Sequence, residues 1–124
     1  MEHPAEFVVM QFARPGGNLL PIAMLLFDRS ADRLLVQGRD DFEGIADRDD
    51  VEVLRSFIAQ LADESEQMSG AAMLQELEDK LSNNVRITER QPVSVDDVQW
   101  ALADLYRQHV DPGRAGLSKA QTAG

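Results

Sequence analysis

The sequence predicts an α+β domain: a four-stranded, mainly antiparallel sheet with three helices on one face, in the order β-β-β-α-α-β-α. Three observations lead there. From Leu19 to Gln37 the chain reads LLPIAMLLFDRSADRLLVQ, two apolar runs around the polar knot Asp28 to Asp32, which is the pattern of strand, short loop and strand. Val51, Leu54, Ile58, Leu61, Ser65 and Met68 then recur at helical spacing, as they would on the buried stripe of an amphipathic helix. Between these segments stand Arg14-Pro15-Gly16-Gly17-Asn18, Ser69-Gly70, Asn83-Asn84 and Asp111-Pro112-Gly113, whose residues end regular structure by fixing or freeing backbone dihedrals. A chain of 124 residues has the size of one domain. Residues 1–110 are assigned to it, and 111–124, small and polar, to a disordered tail.

Each element has its own signal. Glu6 to Phe12, with Phe7, Val8, Val9, Met10 and Phe12 apolar, predicts a first strand. The second is expected to start at Ile22, because Pro21 cannot donate to a ladder; its run to Phe27 is apolar at every position, so both of its faces need cover. Arg33 to Arg39 completes a meander. Asp49 or Asp50 suits a helix N-cap before Val51. Met73, Leu74, Leu77 and Leu81 mark a second helix after Gly70. Val85 to Gln91 predicts the fourth strand, with Pro92 as its stop. Ser94 with Asp97 resembles a capping box opening a last helix from about Val95 to His109, buried along Val95, Val98, Leu102, Leu105 and Tyr106.

Composition narrows the function classes. Hydrophobic residues make up 44% and charged residues 27%, the balance of a soluble globular protein, and no apolar run reaches the ~18 residues of a membrane helix. The first residues, MEHPAEF, lack the basic-then-apolar order of a signal peptide, so a cytoplasmic setting is expected. Absence of cysteine removes disulfides and thiolate chemistry. The formal charge of −10 opposes nucleic-acid binding, which draws its affinity from phosphate neutralisation.

The stretches LLPIAMLLFDRSADRLLVQ, DFEGIADRDDVEVLRSF, VRITERQPVSVDD and ALADLYRQHV, in this β-β-β-α-α-β-α order, resemble a family of small bacterial α+β proteins of unknown function. The second strand carries Ala23 and Met24 where that family has a glycine-bearing form. The resemblance spans roughly residues 6–110. It implies a fold and a bacterial origin, and it assigns no functional residue, since the family has no settled activity.

No residue pattern supports a catalytic, cofactor or metal assignment. The carboxylates of Asp47 to Asp50 lack the spacing of a calcium loop and are explained by the preference of a helix N-terminus for negative charge. His3 and His109 lie outside any nucleophile or zinc motif, and Gly16-Gly17 lacks the lysine of a phosphate loop. Two features remain. At about 100° per residue, Trp100 falls away from the buried stripe of the last helix, where tryptophan is a frequent interface anchor. Arg86 and Arg90 share the strand face opposite Ile87 and either pair with acidic helices or read an anion. With all helices on one face, the other sheet face, including Met24 and Leu26, is left for a partner. The sequence therefore points to a non-enzymatic binding protein contacting another protein or a second copy of itself through Trp100, Met24, Leu26, Arg86 and Arg90. The alternative is a small enzyme with a carboxylate or arginine site near residues 40–50.

Overall fold

The computed structural model describes residues 2–13, 19–39, 48–80 and 85–110. The expected turns at 14–18 and 83–84, the acidic segment 40–47 and the tail 111–124 lie outside them. Five strands and three helices follow one another: β1 (His3–Ala13), β2 (Leu19–Asp28), β3 (Arg33–Gly38), α1 (Arg48–Ser65), α2 (Gly70–Lys80), β4 (Val85–Ile87), β5 (Gln91–Val95) and α3 (Val98–His109). The sheet is antiparallel throughout, in the order β3-β2-β1-β4, with β5 also on β1. β4 pairs with Met10–Phe12 and β5 with His3–Phe7, so together they form one interrupted edge strand.

The helices do not share a face. Val8, Met10 and Phe12 of β1 join Ala23, Leu25 and Phe27 of β2 in a core closed by Leu54 and Leu61 of α1 and by Met73, Leu74 and Leu77 of α2. The alternate residues Ala5, Phe7 and Val9, with Met24 and Leu26, form a second core closed by Ala101, Leu102 and Leu105 of α3. Side chains alternate across a strand, so these cores lie on opposite sides of the sheet. The expectation of three helices on one face is thus corrected. An amphipathic stripe shows that a helix is buried, but not against which side of a sheet.

The predicted fourth strand is in fact two. Between the pairs Met10↔Ile87 and Phe7↔Gln91, the three residues 88–90 oppose only Val8 and Val9. One extra residue reverses the side on which later side chains fall. Val85 and Ile87 therefore belong to the α1/α2 core, whereas Val93 and Val95 belong to the α3 core. Thr88 bridges the break, its amide donating to the Val9 carbonyl at 3.0 Å and its hydroxyl accepting from the Val9 amide at 2.9 Å. Because Val9 turns its amide toward this edge, Glu6 turns its own toward β2. Pro92, opposite Glu6, consequently sits where no donor is needed, and it does not end the strand. Pro21 is likewise inside a strand: β2 begins at Leu19, and the register slips between Met10↔Ala23 and Gln11↔Pro21, a bulge that accommodates the proline.

Two close approaches tie the helices to the hairpin. At Gly38 a Cβ would overlap the side chain of Ile58, so α1 can lie against the end of β3 only because that residue is glycine. The other joins the β2–β3 turn to the start of α2. Asp32, in the left-handed region at φ 52°, accepts the Gly70 amide on its carbonyl at 2.8 Å and the Ala71 amide on Oδ1 at 3.0 Å. It thereby satisfies helix donors that have no partner within α2, a cap supplied from 39 residues away. A Cβ at Gly70 would stand 2.7 Å from the Arg33 carbonyl carbon and 2.8 Å from the Leu34 nitrogen, so backbone would have to move.

Gly70→Ala should accordingly destabilise the fold by roughly 1–3 kcal/mol in denaturant unfolding, the cost of overpacking against atoms that cannot rotate away. The Ala71 amide, with the Ser69 hydroxyl, holds the Asp32 carboxyl below its ordinary value of 3.8. A folded-state value below the unfolded one stabilises at pH above the unfolded value and is lost as the pH falls through the folded one. Asp32→Asn tolerates the same backbone and keeps a cap oxygen, so it isolates the charge. Its melting temperature should lie below that of the wild type near neutral pH, and the gap should close as the pH falls below about 4.

Candidate functional site

α3 starts three residues later than the expected capping box implied, because Ser94 and Val95 belong to β5. Its N-cap is Asp97, extended at φ −115° and ψ 113°, whose side chain accepts the amides of Gln99 at 2.9 Å and Trp100 at 3.1 Å. At the other end Arg107 and His109 stand beside the negative pole of the helix. The His109 ring lies 5.2 Å from that of Phe7. Arg39 donates through Nη1 to the carbonyls of Pro21 at 3.2 Å and Val110 at 3.0 Å, which ties the end of α3 to the sheet. α3 is thus capped, docked and positioned at both ends.

Its inward stripe is Ala101, Leu102 and Leu105, with Val98 and Tyr106 at the margins. Trp100 projects from the opposite side and is 64% exposed, on the face expected for it. Around it on the helix lie Asp97, Ala103, Asp104 and Arg107, the last two paired at 3.3 Å. Among the described residues the other exposed large hydrophobic side chains are Leu19 and Val53, and Val53 stands on α1, across the sheet.

The other residues expected to bind a partner do not gather with Trp100. Met24 and Leu26 are both 0% exposed, sealed beneath α3. The sheet face expected to be open is a second core, and the surface assigned to a partner or a second copy there is occupied by this chain's own helix. Arg86 and Arg90 also part company, since the extra residue between β4 and β5 turns them to opposite sides. Arg90 meets Glu78 of α2 through both prongs of its guanidinium, Nε at 2.9 Å and Nη2 at 2.8 Å, with Glu6 at 3.7 Å. The hydrogen bonds between them, helped by their opposite charges, hold the Glu78 carboxyl below its ordinary value and raise that of Arg90. Pairing with an acidic helix, one of the two roles considered for these arginines, is what Arg90 does. Arg86 is exposed on the edge strand.

The contact between His3 and Asp28 bears on acid–base chemistry. His3, the first residue of β1, brings Nε2 to 3.2 Å from Asp28 Oδ1, without the alignment of a hydrogen bond. The same Oδ1 accepts the amides of Ser30 at 3.1 Å and Ala31 at 3.4 Å, so Asp28 closes the hairpin turn. Ser94, the nearest serine in sequence across the strand pair, is opposite Pro4 and therefore faces the other side from His3. No group of three or more histidine or carboxylate side chains converges among the described residues. No described helix is long and apolar enough to cross a membrane. Of the alternative acidic site, residues 40–47 lie outside the description.

One concavity went unrecognised in the sequence. A cleft of about 250 Å³ lies between α1 and α2. Leu61, Met73 and Leu77 line it, beside Phe57, with Gln60, Glu64 and Glu76 at its mouth. Helical periodicity assigns Phe57, Leu61, Met73 and Leu77 to the core, and gives no measure of how far two helices splay.

No family model, curated protein or solved structure matches the chain. The geometry defines an α+β domain with an antiparallel five-stranded sheet between helices, and an exposed tryptophan on a firmly held helix.

Leu26→Ala should cost about 2–5 kcal/mol in equilibrium unfolding of the isolated protein, as for any large-to-small change in a closed core. A loss well under 1 kcal/mol would mean that α3 does not seal this face. Arg90→Ala, removing a half-exposed pair, should cost only about 0.5–1 kcal/mol, and less as salt is added.

Proposed function

We propose that the protein is a non-enzymatic binding domain that acts by contact with another protein, with Trp100 as the anchor of that contact. The observation that carries this reading is the position of Trp100. It is 64% exposed on a helix whose buried stripe is complete without it. Folding gains little from an indole so placed, whereas tryptophan is among the side chains that most often dominate interface energies. Asp97 and Asp104 beside it, and a chain charge of −10, favour a partner that presents basic groups around an apolar socket and disfavour a second copy of the same acidic surface. The same charge argues against nucleic acid. A bacterial setting belongs to this reading, on the resemblance described above, with the cytoplasm as the expected compartment.

Trp100→Ala separates an anchor from a structural side chain. The unfolding midpoint should move by no more than about 0.5 kcal/mol in stability, as for surface substitutions. A photoreactive residue at position 100 should crosslink a discrete protein in cells. Excess wild-type protein should compete with that product, and Trp100→Ala should compete about 30-fold less well, the equivalent of ~2 kcal/mol. Absence of a discrete product, or equal competition by the variant, would rule the anchor out.

A further inference from the structure

We draw no further inference here: the strongest candidate, the outer edge of β3, which pairs with no other strand among the described residues, is closed at one end by the start of α2, whose Gly70 amide donates to the Asp32 carbonyl at 2.8 Å, and nothing in the structure shows what covers the remainder.

Discussion

Two central strands that are apolar on both sides govern the rest of the structure. β1 and β2 send Val8, Met10, Leu25 and Phe27 one way and Phe7, Val9, Met24 and Leu26 the other, all of them buried. Either set left in water would form an apolar patch beyond what a monomer usually carries. The chain answers with two helices on one side and one on the other. Every further device serves that division: glycine where a helix must approach the sheet closely, Arg39 where α3 must be held down, and an irregular edge strand that contributes valines to both cores.

Much of this was legible in the residues. The hairpin, the break at Ser69-Gly70, the outward placement of Trp100 and most of the helices' buried stripes follow from alternation and helical period, although Met68 lies beyond α1, Val95 belongs to β5 and Leu81 lies outside the described residues. Those signals are local and depend on a single element. The side of the sheet on which α3 lands is a relation between elements, and its stripe is the same either way. That one ambiguity made Met24 and Leu26 look like contact residues for a partner when α3 covers them. The pairing of Arg86 with Arg90 on one face failed for a related reason. Counting residues along a strand presumes regular alternation, and the extra residue at 88–90 reverses it. Pro92 misled in the same way, because a proline ends a strand only where its amide would have been used.

The cap on α2 illustrates another limit. Ser69-Gly70 identifies the start of the helix, and Ser69 accepts the Ala72 amide at 3.3 Å. The stronger capping group is Asp32, distant in sequence, which in the hairpin pattern reads only as a turn residue. Its left-handed backbone lets it close the turn and receive the helix at once. One aspartate therefore fixes the orientation of α2 relative to the hairpin. It also sets the far wall of the cleft, since Met73 and Glu76 lie on the two turns that follow.

The division of the core also has an order in time. Apart from Val85, the buried residues that close the α1/α2 side lie between Val8 and Leu77, whereas those that α3 and β5 supply to the other side lie between Val95 and Val110. A chain made from its N-terminus can assemble the first half while Phe7, Val9, Met24 and Leu26 still face water. Until the final helix docks, the nascent protein presents a bare sheet face to every neighbour. Premature termination before α3 would make that exposure permanent, leaving a chain with one finished core and one adhesive surface.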